Sequence, residues 1–224
     1  MCGRFQISKI VDDIQLRFHV DVETEWTKQI FNAAPGMLLP VIANIEPFKL
    51  SVFKWGLIPS WAKDPGIGNK LINARAETIL EKPSFKSSVR HRRCLIPANG
   101  FYEWKKEGSA KIAHRICFPD DRLFAFAGLW DRWHDAEGKE LTSFTIITTE
   151  ANDLMKPIHD RMPVILEPDL EEVWLQYDIS PEVAVEMLKA YPGTDMIAYP
   201  LSSLVNNVRN EGPELIKPFK ESLF

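Results

Sequence analysis

The sequence predicts a single α+β domain spanning residues 1–224, with a curved, largely antiparallel, barrel-like sheet flanked by short helices. Segments with strand patterns outnumber segments with helical patterns and do not alternate with them regularly, which favours an antiparallel sheet. The 16 prolines require many turns and short elements, and they disfavour a helical bundle. No long linker, repeat or low-complexity tract divides the chain, so we expect one domain.

The first half of the chain contains short elements. Ile10, Ile14 and Phe18 recur at helical spacing and predict an amphipathic helix over residues 8–18. Residues 48–55 alternate apolar and polar side chains and then change phase at Phe53, which predicts a strand with an irregularity. We further predict a turn, an aromatic loop, and a strand end that leads into a short helix, at residues 32–36, 55–61 and 73–85.

The second half contains longer strands and two helices. Asp-Ala-Glu-Gly at residues 135–138 predicts the hairpin loop between the last two strands. Ser180 is a suitable N-cap, because its hydroxyl can accept from the first helical turn, and Pro181 suits the first helical position. The predicted strands span residues 93–101, 112–118, 123–129 and 143–149, and the predicted helices span 169–177 and 180–191.

Charge is distributed unevenly along the chain. The formal net charge of −4 argues against wholesale coating of nucleic acid. Residues 82–115 nevertheless contain nine basic and two acidic side chains, whereas residues 150–190 contain ten acidic and three basic ones. One-sided charge of this kind can steer a polyanion to one face. The alternative is that both segments are ordinary solvated surface.

The three cysteines, Cys2, Cys94 and Cys117, form no CxxC pair and no disulfide framework. An odd count without an N-terminal signal segment is typical of a reducing cytosol. No apolar run is long enough to predict a membrane span. We therefore expect a soluble cytoplasmic protein. Cys94 and Cys117 lie in apolar, strand-like segments, and we expect them to be buried packing residues.

Cys2 has the most distinctive chemistry in the sequence. A small residue after the initiator Met1 permits removal of that methionine, and the new terminus would carry an α-amine and a thiol on adjacent carbons. Their ordinary pKa values, about 7.7–8.0 and about 8.5, leave reactive fractions of both groups near neutral pH. The pair reacts with an aldehyde through an imine to a five-membered thiazolidine. The alternative is that Cys2 is a loosely held chain end.

The remaining motifs mostly exclude familiar chemistries. The sequence contains no phosphate-binding loop with the required glycine spacing, no GxSxG, no HExxH and no Cys/His metal cluster. Because these motifs are missing, no metal or organic cofactor is expected. Within Ile-Asn-Ala-Arg-Ala-Glu, Asn73 offers an amide that can orient a polar substrate.

Two titratable residues lie in segments that favour acid–base chemistry. Glu103 is flanked by aromatic residues that would desolvate it and raise its pKa into the useful range for a general acid. His159 lies in a proline-bounded segment with little freedom, and its imidazole suits proton transfer near pH 7. The alternatives are an ion pair of Glu103 with Lys105 or Arg75, and a turn-capping role for His159.

Six motifs run along the chain in a characteristic order between Met1 and Pro163: MCGRF, NxAPG, WGLIPxW, INARxET, FYEW and IHDRMP. A later SSLVNN occupies residues 202–207. In this combination the chain resembles the SOS-response-associated peptidase (SRAP) family of abasic-site processing proteins. The resemblance covers essentially the whole sequence, and chance agreement of so many segments is very improbable.

The resemblance implies a function in the response to DNA damage. Family members sense abasic sites in single-stranded DNA, and the mature N-terminal cysteine crosslinks to the open-chain aldehyde as a thiazolidine that shields the lesion. By motif, Cys2 is the nucleophile, and Asn73 and His159 position the sugar and assist ring opening. Glu103 is the acid–base group. The chemistry requires removal of Met1, because a retained methionine would block the α-amine.

The resemblance also implies how DNA is held. Family arginines bind phosphates, a proline lies beside the missing base, and tryptophans stack on bases with no sequence preference. The DNA-binding residues predicted in this way are Arg4, Asn32, Pro35, Trp61, Arg75, Trp104 and Arg161. The expected partner is single-stranded DNA containing abasic sites, bound by a monomer that needs no membrane or metal and that associates with the nucleoid when on DNA.

Two other functions stay open at this stage. One is a dedicated thiol autopeptidase that removes whatever precedes Cys2, with Glu103 or Asn73 assisting and DNA binding secondary. The other is a non-catalytic module that only binds single-stranded DNA, for which the basic segment and its interleaved aromatic residues would suffice. The joint occurrence of Cys2, Asn73, Glu103 and His159 favours a lyase-type crosslinking enzyme over both.

Overall fold

The computed structural model describes residues 2–22, 26, 28–45 and 48–219. Within these ranges it confirms the predicted α+β class, with two largely antiparallel sheets and short helices. The strands are β1 (Phe5–Ile7), β2 (Asp21–Val22), β3 (Ile30–Ala33), β4 (Leu38–Ala43), β5 (Lys49–Trp55), β6 (Asn73–Arg75), β7 (Arg93–Ala98), β8 (Gly100–Glu107), β9 (Ala110–Cys117), β10 (Phe124–His134), β11 (Glu140–Glu150), β12 (Arg161–Pro163), β13 (Ile165–Leu166) and β14 (Ile197–Pro200). The α-helices are α1 (Val11–Phe18), α2 (Pro83–His91), α3 (Pro168–Leu175) and α4 (Pro181–Glu186), and 3-10 turns lie at Pro65–Lys70, Ala76–Thr78, Ser203–Asn206 and Pro213–Ile216.

Five strands close into a barrel. β11, β10, β7, β4 and β5 are hydrogen-bonded in that order by antiparallel pairs, and β5 returns to β11 in a short parallel pair that includes Trp55 and Phe144. Closure satisfies backbone groups that an open edge would expose. β6 and β12 both pair with the end of β11 near Glu150. β6, which carries Asn73, and β12, which begins at Arg161, therefore lie side by side with the same end of β11, at one rim of the barrel.

A second sheet, in the order β14-β9-β8-β1-β3, packs on the barrel through aromatic side chains. The ring of Phe5 on β1 makes edge contacts with Trp55 at 5.2 Å and Phe126 at 5.7 Å between centroids. Such pairs add about 0.5–1.5 kcal/mol each beyond the burial of apolar area. Trp55 is fully enclosed here, so within the predicted aromatic loop it is a core residue and offers no surface for a base.

The strand predicted over residues 93–101 is in fact two strands in different sheets. β7 belongs to the barrel and β8 to the second sheet, and Asn99 lies between them. The side-chain oxygen of Asn99 accepts from the backbone N–H of Ser8 at 2.9 Å, and its amide donates to Asp121 at 3.0 Å. These bonds satisfy the polar groups where the chain crosses between sheets. Residues 93–103 are buried without interruption on both sides of the crossing, so a single run of strand-like residues does not reveal it.

Other boundaries differ from the prediction by a few residues. The helix predicted over 180–191 ends at Glu186, although Ser180 caps it as expected, with its Oγ accepting from the N–H of Val183 at 3.2 Å. Asn32 belongs to β3, and the predicted turn begins only after that strand. The strand β5 pairs with β4 without a break. The irregularity predicted at Phe53 therefore does not interrupt the pairing and shows only as a change in the pattern of buried side chains.

The cysteines of the strands are packing residues, as predicted. Cys94 and Cys117 are both buried and free of disulfides. Burial raises the pKa of each thiol, which keeps both protonated and unreactive. Across the described part of the chain, no helix combines the length and the apolar character needed to cross a bilayer.

Candidate active site

The candidate active site lies where the N-terminal end of β1 meets the barrel rim. Antiparallel pairing joins Phe5 to Phe101, and the N–H of Tyr102 donates to the carbonyl of Arg4 at 3.0 Å. Continued in the same register, this ladder sets Glu103 beside the residues that follow Cys2. β6 arrives from the barrel side, so segments far apart in the sequence converge on the chain terminus.

Asn73 joins the two sides of the site. Its side-chain amide donates to the backbone carbonyl of Cys2 at 2.8 Å. Its Oδ1 atom is buried and accepts no hydrogen bond from any described residue. A buried acceptor without a donor costs free energy. The site therefore contains an oriented acceptor that a hydroxyl group of a bound molecule would satisfy.

Cys2 is fully buried, with a relative exposure of 0%. Its Sγ lies 3.9 Å from the carbonyl oxygen of Arg4. Burial first, and the negative charge of Glu103 second, raise the pKa of the Cys2 thiol far above its ordinary range. Cys2 is therefore neither a loosely held end nor a thiolate at neutral pH, and its proton must leave during any reaction of the sulfur.

Glu103 is the carboxyl group of the site and is 3% exposed. Burial raises its pKa from 4.5 to about 7, so it is divided between acid and carboxylate at neutral pH. The suggested ion pair with Lys105 is wrong, because Lys105 instead binds Glu107 at 2.7 Å. Glu103 is therefore able both to donate and to accept a proton close to Cys2.

His159 is half-buried on the approach to β12. Its Nδ1 accepts from the backbone N–H of Arg161 at 3.0 Å and lies 2.9 Å from a carboxylate oxygen of Asp160. The first contact is the turn-capping role considered above. The backbone N–H contact requires the ring proton on Nε2, whereas a hydrogen bond to Asp160 would require it on Nδ1. Burial lowers the pKa of His159, so the ring is neutral at pH 7.

The predicted phosphate-binding arginines lie in different environments. Arg161 forms a two-pronged ion pair with Glu77 at 2.6 and 2.9 Å, and it also donates to the carbonyl of Thr148 at 2.7 Å. The bonds from Arg161 lower the pKa of Glu77. Arg75 is exposed on β6. A phosphate at this rim would therefore meet one exposed guanidinium and one that already has an anionic partner.

Arg4 and Asn32 form a buried brace. Arg4 donates to Asn32 Oδ1 at 2.6 Å and to the carbonyl of Val205 at 2.9 Å. The amide of Asn32 donates to the carbonyls of Asn207 and Asn210, each at 3.0 Å. Asn32 is completely buried and Arg4 nearly so. Their observed contacts are structural: they hold residues 205–210 against β1 and β3, and both the oxygen and the amide nitrogen of the Asn32 side chain are engaged in these bonds, so its contact with DNA stays a prediction.

The predicted stacking residues differ in exposure. Trp61 is 57% exposed on a loop that Asp131 anchors by accepting from the N–H of Ser60 at 3.0 Å. Trp104 is half-buried, and its Nε1 donates to Asn206 Oδ1 at 2.7 Å. Pro35 is exposed in the turn after β3. Of the three, Trp104 lies next to the terminus, with the guanidinium of Arg4 5.7 Å from its ring centroid, and contact of all three side chains with DNA stays a prediction.

The basic segment does not form one charged face. Arg93 and Arg115 are buried in hydrogen-bond networks, and Arg92 pairs with Asp131 at 3.1 Å.

Two residues that shape the site were not predicted from the sequence. Glu77 lies in the INARxET motif and Asn206 in SSLVNN. Their partners, Arg161 and Trp104, lie in other motifs, so the sequence does not show that they interact. In the described ranges no three His, Cys, Asp or Glu side chains converge as a metal site requires.

Comparison with known proteins supports one interpretation of this geometry. The family model "SOS response associated peptidase (SRAP)" matches residues 1–208. The abasic site processing protein YoqW of Bacillus subtilis is 47% identical, covering 97% of this chain and 99% of that protein. YedK of Escherichia coli, also named an abasic site processing protein, is 33% identical and covers 97% and 100%. HMCES of Xenopus tropicalis is 31% identical over 96% of this chain and 77% of its own length.

A solved structure shares the whole architecture. A crystal structure of a protein from Bacteroides thetaiotaomicron superposes with a TM-score of 0.90 at 30% sequence identity. The match covers 98% of this chain and all of that one. The fold is therefore shared along its length, including both sheets that meet at Cys2.

Proposed function

The chain belongs to the SOS response associated peptidase family, and on that premise we propose that it processes abasic sites in single-stranded DNA by forming a thiazolidine crosslink through Cys2. Relatives at 47% and 33% identity are named abasic site processing proteins. The observation that carries the proposal is the convergence of a buried, protonated thiol, a carboxyl group with a pKa of about 7 and an oriented amide around one N-terminal residue.

The first step uses the α-amine rather than the thiol. A thiol with a strongly raised pKa is a weak nucleophile, whereas the α-amine released by removal of Met1 has an ordinary pKa of about 7.7–8.0. Met1 itself lies outside the described residues. The amine nitrogen attacks C1′ of the ring-opened sugar. One amine proton and one proton from Glu103 leave with the former aldehyde oxygen as water, and a protonated imine results.

The second step closes the ring. Glu103, now a carboxylate, accepts the proton of the Cys2 thiol while the sulfur adds to the imine carbon. The nitrogen keeps the remaining amine proton, and a five-membered thiazolidine forms, with a net loss of one water over the two steps. Reversal follows the same path, with Glu103 in the opposite protonation state at each step.

Ring opening of the closed sugar precedes these steps. The buried Oδ1 of Asn73 lacks a donor among the described residues and would accept from a sugar hydroxyl. The neutral imidazole of His159 is suited to moving the proton between the ring oxygen and the anomeric hydroxyl. Arg75 and Arg161 would hold flanking phosphates, and Trp61 and Trp104 would contact the neighbouring bases.

A denaturing gel tests the proposal. The purified protein is incubated with a single-stranded oligonucleotide that carries one abasic site, and a matched oligonucleotide carries a tetrahydrofuran analogue that cannot open to an aldehyde. We expect a covalent band with the first DNA only, with an intact mass equal to protein plus DNA minus one water. Cys2→Ala abolishes it. A wild-type protein that lacks Met1 by mass and gives no covalent product would refute the proposal.

The two alternatives are less well supported. A thiol peptidase would need the same transfer of the Cys2 proton to Glu103, because burial keeps the thiol protonated, and the relatives are named abasic site processing proteins, which favours DNA as the substrate. A pure single-strand binder has no use for a buried carboxyl group beside a buried terminal thiol, an arrangement that costs free energy of folding. A crosslinking enzyme uses both groups.

A further inference from the structure

A second concave site lies beside the candidate active site, on the second sheet. It is a cavity of about 550 Å³ between β9, the end of β14 and the turn at Ser203–Asn206. This volume lies within the usual range of ligand pockets. None of the roles given above for Cys2, Asn73, Glu103 or His159 involves it.

The cavity is connected to the active site by shared residues. His114 lines its wall and is the cross-strand partner of Glu103 in the β8–β9 pair. Asn206 also lines it, and the Oδ1 of Asn206 accepts from Trp104 Nε1 at 2.7 Å. A DNA strand that left the active site past Trp104 would therefore reach this cavity next.

One side of the cavity is polar and suited to an anion. Lys111 is exposed at the wall and forms no ion pair with any residue in the described ranges. The single acidic side chain of the lining, Glu107, is already neutralised by Lys105 at 2.7 Å. The hydroxyls of Ser202 and Ser203 also line the cavity. A free cation next to two hydroxyls is a donor set suited to a phosphate.

The other side is apolar and ends in an aromatic ring. Phe219 is 49% exposed, and its backbone N–H donates to the carbonyl of Pro200 at 2.9 Å. Ile112 and Leu201 complete this wall. A positive group beside an exposed aromatic ring is the combination by which proteins bind single-stranded nucleic acid without reading its sequence.

We propose that this cavity binds one unpaired nucleotide of the DNA strand next to the abasic residue, with the phosphate at Lys111 and the two serines and the base against Phe219. The inference rests on the proposed function, because it assigns a flanking subsite to the same DNA. The subsite would let the protein hold the strand before the covalent step through the base of the neighbouring nucleotide, because the abasic residue has no base to bind.

Reversible binding tests the subsite separately from crosslinking. Single-stranded DNA with a central tetrahydrofuran analogue is titrated with protein, and affinity is read from fluorescence anisotropy. Lys111→Gln should weaken binding about fivefold and make the slope of log affinity against log salt shallower by about 0.7. Phe219→Ala should weaken binding about fivefold or more. The matched controls are Lys106→Gln, at the position that faces Lys111 across the hairpin outside the cavity lining, and Tyr177→Ala, at an exposed ring elsewhere.

Shortening the DNA locates the occupant. Nucleotides are removed one at a time from either end, and the defects of Lys111→Gln and Phe219→Ala should disappear together once the nucleotide in the cavity is gone. Defects equal to those of the controls, or defects that persist with the shortest DNA, would overturn the inference. If wild type crosslinks aldehyde DNA while both variants bind normally, only the subsite fails. If wild type never crosslinks, the proposed function fails.

Discussion

The side-chain amide of Asn73 holds the backbone carbonyl of Cys2 at 2.8 Å. This single bond connects β6, at the rim of the barrel, to the terminus of the second sheet, across 71 positions of sequence. It fixes where the reactive residue lies relative to the carboxyl group of Glu103. Under the proposed function, the bond should therefore matter more to the reaction than to the stability of the fold.

Asn73→Ala should slow crosslinking about tenfold, because a net hydrogen bond of about 1 kcal/mol and an oriented acceptor are both lost. The melting temperature should fall by only about 2–4 °C. The measurement is the rate of covalent product under single-turnover conditions. Asn44→Ala is the matched control: Asn44 binds Arg93 and Trp130 inside the barrel, so this change should lower stability and leave the crosslinking rate intact. The opposite pattern would assign Asn73 a structural role.

Glu103 should make the protein less stable as pH rises. Burial raises its pKa from 4.5 to about 7, so between these pH values the folded protein binds a proton that the unfolded chain does not. The stabilising contribution is complete below about pH 4.5 and is lost as pH rises through 7. Relative to Glu103→Gln, wild type should lose about 3 kcal/mol of unfolding free energy between pH 5 and 8. Urea unfolding of both proteins at both pH values measures the difference, and parallel curves would contradict it.

The same substitution should change the pH profile of the reaction. The wild-type crosslinking rate should inflect near pH 7, where Glu103 passes from acid to carboxylate. Glu103→Gln cannot exchange this proton, so its slower reaction should lack the inflection. Affinity for the tetrahydrofuran analogue should stay close to wild type. A large loss of that affinity would instead make Glu103 a binding residue.

Much of the fold follows from local patterns, and the limits are physical. Strand alternation and the Ser180 cap identify most elements. The crossing at Asn99 is not visible in the sequence because residues 93–103 form one uninterrupted buried run while the chain changes sheets. Barrel closure rests on a parallel pair between β5 and β11, which depends on residues almost ninety positions apart and leaves no local signature.

The chemistry of the site and the raised pKa of Glu103 were predictable from the sequence, but the electrostatics of Cys2 was not. The motifs identify Cys2 and Glu103, but only the fold buries the thiol and raises its pKa beyond use as a thiolate. Arg4 is a residue type that commonly binds phosphate, yet its guanidinium donates to the carbonyl of Val205, which lies 201 positions away in the sequence. A count of basic residues cannot separate an arginine that faces solvent from one that braces the interior.

Trp61→Ala should weaken binding of single-stranded DNA and leave the fold unchanged. The ring is 57% exposed, and stacking of a base is worth about 1–3 kcal/mol. Anisotropy with the tetrahydrofuran analogue should show a loss of about fivefold or more, with the unfolding free energy within about 0.5 kcal/mol of wild type. Tyr177→Ala removes a similarly exposed ring, 67% accessible, and should leave affinity unchanged. Equal effects of the two changes would rule out a specific stacking role.

Arg93→Lys should destabilise the protein, although it preserves the charge of the basic segment. The fully buried guanidinium donates to the carbonyls of Val89 and Arg90 at the end of α2, at 2.8 and 2.9 Å. It also donates to Trp174 at 2.8 Å and to Gln176 at the end of α3. An ammonium group has no planar fork to reach both helix ends.

At least two of these carbonyls would lose their donor, at about 1–3 kcal/mol each. We therefore expect a loss of about 3 kcal/mol in urea unfolding. Arg90→Lys is the control, because Arg90 is exposed on α2 and should tolerate the change. An Arg93 that contacted DNA would give the reverse result, with stability preserved and the salt dependence of binding altered. The two measurements together therefore show whether Arg93 stabilises the fold or binds DNA.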